Sequence, residues 1–213
     1  MKEQNQYNPG GALKSKFTYR YNLLHGHLEE QNLYKPDGSL ISRYTYVYDN
    51  NGNQLAYNHY NSTGTQDERA IFKYDKNNNL TEWSLYNTED GKVLQKAVYQ
   101  YDEKQHLTEE KLYNEKDSIE KRTAYTYDAN GLQSEVVEYA EDGTMMKKVS
   151  YGYDQQKNVT EETLLDKDNN KLEQYSYKYN LDKQQNWTRK ITLRNGVPVL
   201  ITEREFIYFS GKK

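Results

Sequence analysis

Tyr99-Gln100-Tyr101-Asp102 is the stretch whose reading decides the fold, because the same Y-x-Y-D signature returns at a nearly fixed interval along the 213-residue chain. Its second aromatic falls at Tyr21, Tyr48, Tyr74, Tyr101, Tyr127, Tyr153, Tyr179 and Tyr208, in steps of 27, 26, 27, 26, 26, 26 and 29 residues. A constant period of this size marks a repeat architecture, in which each unit is one supersecondary element that buries its apolar side on its neighbours.

Within a unit, aromatic and polar residues alternate into the signature: Phe17, Tyr19 and Tyr21 against Lys16, Thr18 and Arg20, then Tyr44/Tyr46/Tyr48, Ala97/Tyr99/Tyr101 and Tyr175/Tyr177/Tyr179. Period two is the mark of a strand with one aromatic face, leaving the intervening, mostly small or polar set for water. A turn rich in Asp, Asn and Gly follows, as at Asp49–Gly52 and Asp128–Gly131, where Asn-Gly signals a hairpin because both residues tolerate positive φ. A second strand then ends in tyrosine at Tyr34, Tyr60, Tyr86, Tyr113 and Tyr139, and a second turn closes the unit, as at Asp37-Gly38, Asp90-Gly91 and Asp142-Gly143.

The expected fold is therefore all-β, about seven β-hairpin repeats of roughly 26 residues in one long antiparallel meander of fifteen strands. Sheets beyond about ten strands tend to curl, so a curved or spiralling sheet is expected, with a flat single layer as the alternative. Met1–Ala12 reads as a flexible start, and 13–213 as a single domain. From about Gln184 the pattern changes: Trp187 takes the usual acidic position and Pro198 comes just before the final strand, so this end reads as a cap.

Composition narrows the function classes. Leu, Ile, Val and Phe make up fewer than a fifth of the residues, but 23 tyrosines stand in for them, an amphipathic choice for a pleated surface with a wet side. Twenty-nine basic and 32 acidic residues are interspersed at a net charge of −3, which argues against a nucleic-acid surface. No run approaches the roughly 20 apolar residues of a spanning helix, and the polar start is not a signal peptide. Cysteine is absent.

Chemistry-bearing groups follow the repeat. The pairs Glu29-Glu30, Glu109-Glu110 and Glu161-Glu162 would suit glycoside hydrolysis, but Glu29, Glu82, Glu109, Glu135 and Glu161 share one offset from the signature, the pattern of a solvated ladder. A basic ladder, Lys16, Arg43, Arg69, Lys96, Arg122 and Lys148, stands five residues before each signature tyrosine. Asp166-x-Asp168-x-Asn170 starts like a calcium loop but lacks the glycine and the bidentate glutamate. His25 and His27 suit a metal, yet His59 and His106 do not share their offset or supply a third ligand. No enzyme activity, cofactor or metal is expected. The candidate ligand contacts are Tyr34, Tyr60, Tyr86, Tyr113 and Tyr139, whose face the pattern leaves open, while the signature tyrosines read as core.

From Phe17 to Tyr208 the Y-x-Y-D pattern, with its Asn-Gly turns, resembles the YD-repeat family of Rhs-type bacterial proteins and the teneurin shell. The aspartate matches at Asp49, Asp75, Asp102, Asp128 and Asp154, and is asparagine at Asn22 and Asn180. Members build β-shells that enclose a toxin domain or display adhesive surfaces, and some are labelled carbohydrate-binding. The chain is too short for a full shell and carries no segment like the family's core-and-cleavage region. Its closing Asn186–Lys190 and Glu203–Phe206 look like the terminus of short bacterial envelope proteins. The resemblance implies a non-enzymatic scaffold for binding or interaction, exported to the periplasm or cell surface after removal of a signal, with a cytoplasmic location as the alternative. Its partner would be a protein or glycan at the cell surface, and oligomers could form through edge strands or the aromatic face. The alternatives are a carbohydrate-binding module that uses exposed tyrosines and a glycoside-processing enzyme.

Overall fold

The computed structural model describes residues 1–209. Seven signature strands are present: β2 (Leu13–Tyr21), β4 (Leu40–Tyr48), β6 (Gln66–Tyr74), β8 (Val93–Tyr101), β10 (Ile119–Tyr127), β12 (Met145–Tyr153) and β14 (Lys171–Leu181). Their partners are β3 (Leu28–Tyr34), β5 (Gln54–Tyr60), β7 (Leu80–Tyr86), β9 (Leu107–Tyr113), β11 (Gln133–Tyr139), β13 (Val159–Asp166) and β15 (Trp187–Arg194). β1 (Lys2–Tyr7) and β16 (Val197–Glu203) complete an open, antiparallel, 16-stranded sheet in chain order. The residues group into two compact units, Met1–Gln105 with Glu110–Glu120, and His106–Glu109 with Lys121 onward.

Both chain ends depart from the sequence expectation. β1 forms where a loose start was expected: its Lys-Glu-Gln-Asn-Gln-Tyr has no apolar alternation, and it is held by backbone pairing to β2 and by Gln6 accepting from the Ser15 hydroxyl. At the other end, no eighth signature strand forms. Tyr208 lies outside any strand, and β16 closes a two-residue hairpin through Asn195-Gly196, with φ of 48° and 83°. This is the Asn-Gly turn in its two-residue form. Pro198 sits inside β16 and pairs with Leu193, next to the closing pair Arg194–Val197. On this edge strand its missing N–H takes no bond from the sheet.

The signature turns use one left-handed residue rather than two. In the turn after Tyr48, the Asp49 N–H donates to Asn53 and the Gly52 N–H to Asp49. Only the fourth residue has positive φ, which makes a three-residue loop. Gly52, Asn78, Gln105, Gly131, Lys157 and Gln185 hold that position in successive units. A β-carbon there costs about 1–2 kcal/mol. Lys157→Gly is therefore expected to stabilise the fold by about 1 kcal/mol in a urea melt.

The signature aspartate is the acceptor that shapes each turn. Asp75 Oδ1 accepts from the N–H groups of Asn77 and Asn79, and Oδ2 from the Asn79 side chain. The Asn79 side chain first, then the backbone donors, hold the Asp75 carboxyl below the ordinary value of 3.8. The signature aspartates Asp49 and Asp128 are lowered in the same direction, as are the turn aspartates Asp166 and Asp182 outside the signature. Because these folded values are depressed, their stabilisation is complete above the ordinary value and is lost as pH falls through the folded ones. Asp75→Asn is expected to flatten the fall of melting temperature below about pH 4. An unchanged slope would contradict that role.

The core is thin. Among the described residues the buried hydrophobics are Ala70 and Ala97, at 0% and 2% exposure, and the other buried residues are small and polar, such as Thr18, Asn32, Ser84 and Thr123. Large rings lie along the sheet instead. Trp83 stands in register between Phe72 on one neighbour and Ala97 on the other, so the small residue at Ala97 gives the indole room. A register shift beside the signature tyrosine recurs along the sheet, as at Lys73/Tyr74, Thr126/Tyr127 and Gly152/Tyr153, and in the β14–β15 pair it moves to Asn180/Leu181. It puts one extra residue in the partner strand and bends it locally.

The signature tyrosines also bind backbone. Tyr74 donates its hydroxyl to the Gln54 carbonyl at 3.0 Å, Tyr101 to Leu80 at 2.8 Å, Tyr127 to Leu107 at 2.8 Å, Tyr153 to Gln133 at 2.7 Å and Tyr179 to Val159 at 2.8 Å. Each acceptor is the first residue of the preceding partner strand. Burial pushes these phenols up from their ordinary acidity where a shift is resolved, as at Tyr74 and Tyr101.

Candidate functional site

The two tyrosine sets lie on opposite faces of the sheet. Arg122 alternates with Thr123 and Tyr125, so it shares a face with Ala124 and not with the signature rings, and it stands in register with Tyr139. The same pairing joins Lys16 to Tyr34, Arg43 to Tyr60 and Arg69 to Tyr86. The basic ladder and the second tyrosine set are thus one cross-strand structure. Lys16 sits 5.4 Å from the Tyr34 ring centre, Arg43 4.2 Å from Tyr60, Lys96 4.4 Å from Tyr113 and Arg122 4.5 Å from Tyr139.

Acidic residues complete the rows. Arg122 pairs with Glu109 as well as stacking on Tyr139, and Lys148 reaches Glu135 at 3.5 Å. Arg20 takes both Glu29 and Glu30, Lys73 holds Glu82 at 2.8 Å, and Lys96 holds Asp117 at 2.6 Å. Of the carboxylate pairs read from sequence, Glu29 and Glu30 meet on the single cation Arg20, while Glu161 and Glu162 diverge. Glu161 and Glu162 pair with Gly152 and Tyr151, which puts them on opposite faces, and Glu162 accepts from the Tyr177 hydroxyl. That bond adds to burial and the Glu162 charge in raising the Tyr177 phenol to about 12.

All five candidate tyrosines are half-buried, as are the signature tyrosines from Tyr48 to Tyr179. The face that the pattern left open for the candidates is the one opposite the signature rings, and both sets form half-covered rows. Four of the candidates carry a stacked cation, while Tyr86 has none among the described residues. Arg69, its partner in register, is exposed and has no ion pair among the described residues. Between them opens a hollow of about 360 Å³ lined by Gln66, Arg69, Ile71, Tyr86, Asn87 and Thr88. The turn beside it is one residue longer than its counterparts: the Asn87 N–H donates to Lys92, five residues on, where Lys35, Asn61, Asn114 and Ala140 close four residues on. Thr88 braces this turn by donating to the Gln66 carbonyl at 2.7 Å.

The histidines serve packing. His27 lies 4.9 Å from the Tyr48 ring centre, and a β-carbon built at Gly52 would meet its Cε1 at 2.8 Å. His106 stacks at 4.6 Å on Tyr127 and covers Gly131 in the same way. Where the turn position has a side chain the neighbour is smaller: Asn53 donates to Asn78 Oδ1 at 2.8 Å. His59 contacts Asp67 at 2.5 Å. No group of three or more potential ligands that could hold a metal occurs among the described residues. The Asp166 segment is a hairpin turn in which Asp166 accepts from Asp168 and Asn170. Gly52→Ala is expected to cost about 2 kcal/mol, from its left-handed φ of 88° and the imidazole together. His27→Ala in the same chain should recover only the second part, which a double-mutant cycle in urea measures.

At the C-terminal end, Arg204 stacks 3.6 Å from the Trp187 ring centre and 4.6 Å from Phe206, and donates to the Trp187 carbonyl. Tyr208 donates to Asp182 and accepts from Asn186 at 2.7 Å. The tryptophan and the Glu203–Phe206 segment, noted in the sequence as a cap, thus form one stacked cluster.

No family model and no curated protein matches the chain. Among solved structures, TcdB2-TccC3-TEV aligns at 14% identity over 89% of this chain, with a TM-score of 0.59. The likeness is one of fold. The chain spans only 12% of that protein's length. TcdB2-TccC3 aligns at 11% identity over 90% of this chain and 14% of its own, with a TM-score of 0.42. A porin-like protein from Bacteroides uniformis ATCC 8492 aligns at 10% identity over 95% of this chain and 89% of its own, with a TM-score of 0.41. No helix among the described residues is long and apolar enough to cross a membrane.

Proposed function

We propose that this β-repeat chain is a non-enzymatic binding scaffold of the bacterial cell envelope. The observation that carries the reading is the repeated row of carboxylate, cation and tyrosine. Carboxylates in these rows are neutralised by adjacent cations. In the first row the Asn32 side chain, and then Arg20, hold the Glu30 carboxyl below its ordinary value. A general acid needs the opposite shift. The rows leave two half-exposed aromatic faces suited to contact.

The fold likeness to TcdB2-TccC3-TEV supports a repeat scaffold, and the envelope location rests on the resemblance to YD-repeat proteins and on the closing Trp187 and Arg204 segments. A panel of envelope polysaccharides tests binding and catalysis together. Retention without release of reducing ends is the expected result, and hydrolysis that stops on Glu109→Gln would overturn it. A carbohydrate-binding reading is favoured locally at Tyr86, where the ring lacks a stacked cation.

A further inference from the structure

We infer that the hollow between Arg69 and Tyr86 binds a carboxylate-bearing pyranose, a uronic-acid unit of a polysaccharide. This rests on the carbohydrate form of the binding reading and names its site and ligand class. The repeat supplies the comparison: at Arg43/Tyr60, Lys96/Tyr113 and Arg122/Tyr139 the cation lies on the ring, and at Arg69/Tyr86 the two are in register but unstacked. The neighbouring cation Lys73 is held by Glu82 at 2.8 Å, so it does not compete for the site.

Each wall of the hollow suits one part of such a ligand. The Arg69 fork matches a carboxylate in bidentate geometry. The Tyr86 face and Ile71 offer an apolar wall and floor for the ring's C–H side. Gln66 gives its amide nitrogen to Asn58 at 3.1 Å, which leaves Oε1 to accept from a sugar hydroxyl, and Asn87 uses Oδ1 for the Glu89 N–H, which leaves Nδ2 to donate. The extra residue of the 87–92 turn, braced by Thr88, keeps the space open. An isolated phosphate would satisfy Arg69 but not the ring face. A neutral sugar would satisfy the ring face and leave the guanidinium without a partner.

Calorimetric titration of the full chain with trigalacturonate, galactotriose and inorganic phosphate separates these cases. Binding of trigalacturonate at least about tenfold tighter than of the other two is expected. Arg69→Gln, at an exposed position, should abolish that preference, and Tyr86→Leu, which keeps apolar bulk, should weaken trigalacturonate about tenfold. Lys183→Gln, at an exposed position outside the rows, should leave it within about twofold. Absence of trigalacturonate binding, equal binding of galactotriose or phosphate, or equal loss in Lys183→Gln overturns the assignment. If any of these overturns the assignment while the unaltered chain still retains an envelope polysaccharide, the scaffold reading stands and only this site falls.

Discussion

Deletion of Asp49–Tyr74 in one piece is expected to leave a folded protein two strands shorter, whereas deletion of Asp49–Tyr60 is expected to leave none. The first excision joins Tyr48 to Asp75, so β4 enters a turn built like the one it lost and continues into β7. Arg43 then meets Tyr86 in place of Tyr60, and the Tyr101 hydroxyl keeps its Leu80 carbonyl. The cost is local: the Tyr74–Gln54 strut leaves with the excised strands, and His27 meets Asn78 where Gly52 stood. The second excision sends β4 directly into β6. Every following strand must reverse, which turns its signature face to the other side of the sheet. Rings that lay beside rings would lie beside Thr and Lys. Far-ultraviolet circular dichroism and gel filtration distinguish the two products, and equal behaviour would contradict the hairpin unit.

Tyr101→Ala is expected to cost about 3 kcal/mol, combining loss of a large ring with loss of its bond to Leu80. Tyr101→Phe isolates the bond at about 1 kcal/mol. Tyr113→Ala should cost about half as much as Tyr101→Ala, because its ring is also half-buried but its stacked Lys96 contributes only the 0.5–1 kcal/mol or so of an exposed cation–π contact. Urea melts of the three variants give the ranking. A Tyr113→Ala cost equal to that of Tyr101→Ala would put the main anchor on the other face.

The strands, their order and the turn positions were legible in the sequence because a period of two inside a period of 26 leaves little freedom. β1 was not, since Lys2–Tyr7 lacks an apolar face and pairs through backbone and amides. Asp49–Gly52 read as an Asn-Gly turn with two left-handed residues. The signature aspartate imposes a different loop by accepting from the two and four positions ahead. The candidate tyrosines were found by offset, but their relation to the basic ladder was not. Arg122 and Tyr139 are 17 positions apart, and only the register of β10 on β11 shows that they meet. The Tyr86 hollow left a faint trace, the one-residue extension of the 87–92 turn, whose meaning depends on a ring that has no cation above it.

The tyrosine struts have a direction. Each hydroxyl reaches back to a carbonyl made some twenty residues earlier, from Tyr74 to Gln54 and on to Tyr179 and Val159, and none of these five bonds reaches forward. A hairpin emerging from the ribosome thus finds its anchor already made, and the contacts that hold it are short in sequence. Synthesis and folding can advance at the same pace, with only the most recent strands unfinished at any moment.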